Sequence, residues 1–318
     1  MSRRGLLLFG ALGIAWGIPY LLIKIAVQEV DPAVVVLGRS ALGAIVLLPL
    51  VIARGEVRPV LRRWRPLLAY TAAEIVLPWY FLSSAETRLP SSTAGLLLAA
   101  VPLVGVAVAF VSGRPERMSG TNWLGVLAGT VGVAALVGLD VAGSDLFGVA
   151  EMAIVVVGYA IGPVILVRHM SDLPGTGVVA LSLAITAVVY VPLVPLLGSY
   201  PARLPSAATI GAIVTLAVVC SAAAFLIMFA LVGEVGAVRT TTITYINPAV
   251  AIIAGALVLH ERVTIWTVVG FVLVLTGSFL VSRRRLRTDE PPGPSAAPLT
   301  AEDRRTRRAV DGAPPSGP

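Results

Sequence analysis

Ten apolar runs, each about long enough to cross a bilayer, follow one another along most of the chain. No other feature limits the fold so tightly. Bounded by charge or by Pro and Gly, they fall at 5–27, 32–53, 66–86, 90–111, 121–138, 146–168, 176–197, 207–232, 237–259 and 264–282. A helix needs roughly 20 apolar residues to span the hydrocarbon core. Within that core every backbone amide and carbonyl needs a partner in its own segment, so each run is predicted to be a helix. One water-soluble core could not absorb this much apolar surface. Hydrophobic residues make up 57% of the 318 and charged residues 13%, at a mean hydropathy of +0.92, where a soluble domain carries about 25% charged residues. The expected fold class is an all-α integral membrane protein with about ten transmembrane helices. The Met-Ser-Arg-Arg start followed by an apolar run is similar to the start of a signal peptide, but the run is long and further spans follow, so it reads as a retained first span.

The arginines orient these spans. With the N-terminus in the cytoplasm, the inner side holds Arg3, Arg4, Arg54, Arg58, Arg62, Arg63, Arg65, Arg114, Arg117, Arg168, Arg239, Arg283, Arg284, Arg285 and Arg287, and the outer side only Arg88, Arg203 and Arg262. Fifteen against three obeys the positive-inside rule with an even span count and both termini cytoplasmic. An odd count would put the basic cluster after the last span outside. The same bias accounts for the net charge of +7, so the expected partner is the lipid bilayer and no nucleic acid. The single cysteine, Cys220, lies in an apolar run and excludes an intrachain disulfide or a thiolate metal cluster. Residues 288–318, rich in Pro, Ala, Gly and charge, read as a disordered cytoplasmic tail. Its Arg304, Arg305, Arg307 and Arg308 are solvated or touch anionic lipid.

The chain also repeats itself. Residues 102–133 align with 248–278 with one inserted residue, matching Pro102 to Pro248, Glu116-Arg117 to Glu261-Arg262, Gly125 to Gly270 and Gly132 to Gly277. Each half, 1–140 and 141–287, then holds five spans. Five is odd, so the halves sit in the membrane in opposite orientations. Inverted repeats of this kind are a recurring design of secondary transporters.

These residues resemble the EamA-type permeases of the drug/metabolite transporter superfamily. The first run reads Trp16-Gly17-Ile18-Pro19-Tyr20 with Lys24 downstream, and the second opens on Pro32 with Arg39 inside. The last two carry Tyr245-Ile246-Asn247-Pro248, His260-Glu261-Arg262, Gly270 and Gly277, similar to that family's Tyr-x-x-Pro, Gly-Glu-Arg and Gly series. His260 departs from the pattern, standing where the family often has Gly. The resemblance covers about 5–282. It implies ten helices around a central cavity and the movement of small metabolites, often outward.

Several polar residues inside the runs are candidates for lining that cavity or for coupling. Trp16, Tyr20 and Lys24 recur every four residues and form one helical stripe. Lys24 could meet an anionic group of a substrate, or snorkel to the nearby helix end. Arg39 could face the cavity or pair with Glu151. Glu74, near the middle of the third run, could exchange a proton or contact substrate, since burial disfavours a charged carboxylate. The other reading is a paired or protonated structural acid. Thr241, Thr244, Tyr245 and Pro248 share one face of an α-helix, with Asn247 beside them, and could form a polar wall. Pro19, Pro78, Pro102, Pro163 and Pro248 suggest bends or hinges. Gly125 and Gly129 form a GxxxG, and Gly270 and Gly277 lie a heptad apart, so both runs read as packing helices within the chain, with a homodimer contact as the alternative use.

Enzymatic signatures are missing. Lys24 is the only lysine, so there is no Walker A loop; His260-Glu261 fails HExxH because Thr264 replaces the second His; no GxSxG occurs. Gly175-Thr176-Gly177 with Ala180 fits a loose dinucleotide fingerprint, but it lies between two runs with no strand before it. No catalytic residue, metal or cofactor is expected. The sequence reads as a secondary transporter of small metabolites or drugs in a bacterial inner membrane. It is expected to be an exporter working by alternating access, coupled to protons or to exchange. The alternative is an intramembrane enzyme acting on a lipid-linked substrate.

Overall fold

The computed structural model describes residues 2–111, 120–135, 145–201, 203–236 and 240–282, and among these every regular element is helical. The helices are α1 (Arg3–Gly17), α2 (Pro19–Ala26), α3 (Pro32–Ala53), α4 (Val57–Leu61), α5 (Trp64–Thr71), α6 (Leu77–Arg88), α7 (Ser91–Leu97), α8 (Val101–Val111), α9 (Gly120–Ala135), α10 (Leu146–His169), α11 (Gly175–Leu196), α12 (Ala207–Ala217), α13 (Ala224–Val235), α14 (Asn247–Val258) and α15 (Ile265–Ser282). Among the described residues six helical stretches are long and apolar enough to cross a membrane, and two more, Ile243–Val258 and Ile265–Val281, are apolar but shorter. Each of the ten apolar runs contains helix. The tail at 288–318, the Glu116-Arg117 pair, Arg114, Arg239 and the cluster Arg283, Arg284, Arg285 and Arg287 lie outside the described residues.

Local chemistry sets the helix ends. Asp31 caps α3 by accepting from the Ala33 amide at 2.9 Å, and Pro32 follows at the first helical position, where its missing N–H costs nothing. Ser206 caps α12 through the Thr209 amide. Outside, the helices present Leu7, Ile45, Leu127, Val188 and Leu257 among many exposed apolar side chains, a surface suited to lipid rather than water.

Backbone irregularities interrupt the helical stretches, and they recur in both halves. Between α5 and α6, Ala72–Val76 form a π turn directly before Pro78, whose ring cannot bond the carbonyl four residues back. Tyr190 of α11 donates to the Val76 carbonyl, at the end of this turn, at 2.9 Å. Between α12 and α13, Val218–Ala223 form a second π turn without a proline. There the Ser221 hydroxyl donates to the Leu216 carbonyl at 2.9 Å. The offset that aligns Pro102 with Pro248 aligns these π turns. At the same offset the short 3-10 turn Leu98–Ala100 before α8 overlaps the 3-10 turn Thr241–Tyr245 before α14. Pro19 likewise opens α2 after a break at Ile18, whereas Pro163 sits inside an unbroken α10.

Packing follows the same symmetry. α3 lies on α11, its counterpart, and α7 packs on α14, two helices drawn from the matching runs 90–111 and 237–259; α6 packs on α10, while α1 and α2 pack on α13 and α12. α9 and α15 cross at glycines. A Cβ on Gly277 would sit 2.5 Å from the Gly125 carbonyl and 2.5 Å from the Gly129 amide. The GxxxG face is therefore filled from within the chain, and Asn122 and Val281 extend the same contact. Gly270 is buried on α15.

Candidate functional site

The two π turns, α2, α3 and α10 bring a polar cluster together inside the bundle. Arg39 of α3 is buried; its guanidinium stacks 3.6 Å from the Trp79 ring centroid, and its Nε donates to Ser221 Oγ at 2.9 Å. Trp79 follows Pro78 in the first turn of α6, just after the first π turn, and Ser221 belongs to the second π turn. Tyr159 of α10 stands beside Trp79 and within electrostatic reach of Glu74 and Arg39. Glu74, in the first π turn, is half-buried against Gly162, where a Cβ would collide with its carboxylate; its Oε2 has no hydrogen-bond partner. The next residue, Pro163, cannot bond the carbonyl four residues back, that of Tyr159. Cys220 is buried beside Arg39. This is a cation on an aromatic face, flanked by a carboxyl, a phenol and a hydroxyl.

The predicted stripe of Trp16, Tyr20 and Lys24 is shared among three neighbours, because Pro19 breaks the helix between the first and second members. Trp16 meets Phe225 edge to face at 5.8 Å. Tyr20 packs its ring on Gly95 of α7, 3.2 Å from where a Cβ would stand. Lys24 Nζ donates to the Glu86 and Leu89 carbonyls at 2.6 and 2.9 Å, closing the C-terminal end of α6. In this conformation its ammonium is engaged by backbone. Arg39 does not meet Glu151. That carboxylate instead accepts from Ser84 Oγ at 2.6 Å and lies 3.4 Å from Arg88.

The wall expected from Thr241, Thr244, Tyr245 and Pro248 does not form as one α-helical face. Thr241–Tyr245 is a 3-10 turn, and its tighter winding rotates the side chains away from α positions. Thr244 is exposed, while Tyr245 turns to α15, donating to the Ser278 carbonyl at 3.2 Å and meeting Phe279 edge to face at 6.2 Å. Asn247 Oδ1 is buried without a hydrogen-bond partner. The Thr241 side chain lies outside the described residues.

Four residues of these sites escape a reading of single runs: Trp79, Tyr159, Ser221 and Glu86. The first three look like ordinary span residues until two helices bring them together. Glu86 looks like a boundary residue beside Arg88, yet it is fully buried with both carboxylate oxygens unpartnered.

A further contact joins the halves near Lys24. Glu261, in the connection between α14 and α15, accepts from the Ser91 amide at 2.7 Å, the Ser92 amide at 3.0 Å and the Ser92 hydroxyl at 2.6 Å. It thereby caps α7, which has no side-chain cap of its own. His260 makes this reach possible. Its φ of +54° reverses the chain, so that the Glu261 amide returns to the Gly255 carbonyl at 3.1 Å.

The model of the EamA-like transporter family matches residues 3–138 and again 146–283. The chain belongs to the EamA-like transporter family. An uncharacterized transporter of Bacillus subtilis, YvbV, is 25% identical over 285 residues, covering 89% of this chain and 93% of its own. The uncharacterized inner membrane transporter YedA of Escherichia coli K12 is 28% identical over 269 residues, covering 80% of this chain and 83% of its own. A solved crystal structure at 21% identity covers 91% of this chain and 100% of its own with a TM-score of 0.64, a likeness of fold. As an EamA-like transporter the chain is a multi-pass membrane protein built from two family segments, and the names of family and relatives are those of transporters rather than enzymes. The left-handed His260 also gives a physical reason for the glycine that often stands there in the family pattern: only glycine adopts that φ without strain.

Proposed function

We propose that this EamA-like transporter is an exporter of small polar or amphipathic metabolites in a bacterial inner membrane, working by alternating access. The two halves, 1–140 and 141–287, act as inverted five-helix repeats. They give ten spans with both ends cytoplasmic, and 288–318 is a solvated tail. The observation that carries this reading is the mirrored backbone: paired π turns at one repeat offset, the first holding Glu74 and the second Ser221 of the Arg39 cluster. Segments with weakened helical bonding are where a helix can bend at low cost, and a substrate site between two such bends can be opened from either side. Arg39 on Trp79 would hold an anionic or aromatic part of the substrate, with Tyr20 and Tyr159 closing around it. Glu74 is the candidate for proton coupling, because its Oε2 lacks a partner and it faces the α10 glycine. The name of the Escherichia coli relative supports the inner-membrane placement.

The test compares metabolites in the medium of cells overexpressing the wild type and Glu74→Gln at equal membrane abundance. A compound that accumulates outside only with the wild type establishes export and a role for Glu74. Equal accumulation keeps export and removes Glu74. No change with either protein overturns export.

A further inference from the structure

Glu86 is the most deeply placed acid among the described residues, with 0% of its surface exposed and neither carboxylate oxygen receiving a hydrogen bond. It sits in the last turns of α6, at the end of the bundle where Lys24 closes that helix and Glu261 closes α7. The charged and titratable groups that face it are accounted for on every element packed there. From α2, Lys24 directs Nζ at the Glu86 and Leu89 carbonyls rather than at the carboxylate, and Tyr20 stands beside it. From α3, Arg39 is stacked on Trp79 and bonded to Ser221. From the connection before α15, Glu261 is saturated by the Ser91 and Ser92 donors. From α10, Glu151 is held by Ser84 and Arg88. A carboxylate taken out of water with no donor costs several kcal/mol; Lys24 and Arg39 lie within electrostatic reach and offset only part of it, since neither bonds the carboxylate and Glu261 opposes them.

We propose that Glu86 is a proton-binding site whose occupancy permits this end of the bundle to close. The proposal rests on the transport reading, with this end facing outward. In the closed form Glu86 carries a proton. When α2 and α7 move away from α6, water reaches the carboxyl, which releases the proton to the outside solution and ionises. Closure needs the proton back, taken from the same side. The closed form thus binds one proton more than the open form. The closed-to-open ratio therefore rises as pH falls, by about tenfold per pH unit at its steepest. A metal cation is disfavoured, because the two unpartnered oxygens belong to one carboxyl and the neighbouring carbonyls are already taken by Lys24.

Two measurements on the purified full chain in lipid vesicles test this. The first is the infrared carbonyl band of a protonated carboxyl at neutral pH. It is expected in the wild type and in Glu74→Gln, reduced in Glu86→Gln. Identical bands in the wild type and Glu86→Gln overturn the proposal. The second is labelling of a Thr93→Cys reporter in α7, buried in the closed form, by a membrane-impermeant thiol reagent read peptide by peptide. Labelling, divided by the rate of the same cysteine in denaturant at each pH to remove the intrinsic rise of thiolate reactivity, should accelerate as pH rises, become slow and pH-independent with Glu86→Gln, and regain its pH dependence with Glu86→Asp, which guards against simple misfolding. The same pH dependence in Glu86→Gln overturns it. So does a dependence on sodium against choline, at fixed pH, that Glu86→Gln abolishes. Labelling reports opening whether or not a solute moves. Intact export with pH-independent labelling removes the Glu86 site alone; absent export with pH-dependent labelling removes the export reading alone.

Discussion

Removing the Glu261 carboxylate should strand the start of α7. In Glu261→Ala the Ser91 and Ser92 amides lose their acceptor while both residues are buried, with Ser91 0% and Ser92 4% exposed, so water cannot replace it. A stranded buried amide costs about 1–3 kcal/mol, and two give about 2–5 kcal/mol; the Ser92 hydroxyl can turn elsewhere and is not counted. Glu261→Gln keeps one acceptor oxygen but points an NH2 at a donor, so it should recover only part of the loss. Gly255→Ala should act on the same contact from the other side, since its new Cβ would collide with Glu261 Oε2 and stand 2.9 Å from Ser91 Oγ. The assay is equilibrium unfolding in mixed micelles, followed by helical signal, on single variants and on the Glu261→Ala/Ser92→Ala pair. The pair should cost at least about 1 kcal/mol less than the sum of the singles, because both remove the 2.6 Å hydroxyl–carboxylate bond. A Glu261→Ala protein as stable as the wild type would refute the capping argument, and strict additivity would remove the hydroxyl–carboxylate bond from it.

Other outcomes follow from the same reasoning. His260→Gly should hold stability or raise it by up to about 1 kcal/mol in the same unfolding assay, by relieving a left-handed backbone. Gly277→Ala should destabilise by about 1–3 kcal/mol through overpacking on α9, whereas Gly10→Ala, whose Cβ meets nothing within 4 Å, should be neutral or slightly stabilising. Arg39→Lys should lose the Nε–Ser221 bond and most of the stacking on Trp79. Its coupling to Trp79→Leu should be about 1–2 kcal/mol in a double-mutant cycle. At the connection between α2 and α3, the Ser206 amide, aided by the Ser206 and Thr209 hydroxyls, holds Glu29 below the usual carboxylate range. This contribution is present above the unfolded-state value of about 4.3 and is lost as pH falls through the lower folded value, so Glu29→Gln should flatten the acid limb of the stability profile.

What the sequence could and could not reveal divides along one physical line. Regular helix is legible, because its period and its caps are local: Asp31-Pro32 marks the start of α3, and the GxxxG marks the face of α9 that meets α15. Arg39 and Glu74 are legible as functional candidates, because charge inside an apolar run demands compensation. The partners supplying that compensation are not, since a neighbour two helices away leaves no mark at a fixed spacing. Arg39 finds Ser221 and Trp79 instead of Glu151. Reading faces from the α period also fails wherever the backbone leaves that period, which is why Thr244 and Tyr245 point apart in a 3-10 turn. A proline gives warning of the first π turn; the second, at Val218–Ala223, has none and was detectable only through its repeat partner. The repeat is thus a stronger instrument than any single motif. The two π turns stand at equivalent places in both halves near one buried cation, so the bends proposed for transport are to be sought at both together rather than at either alone.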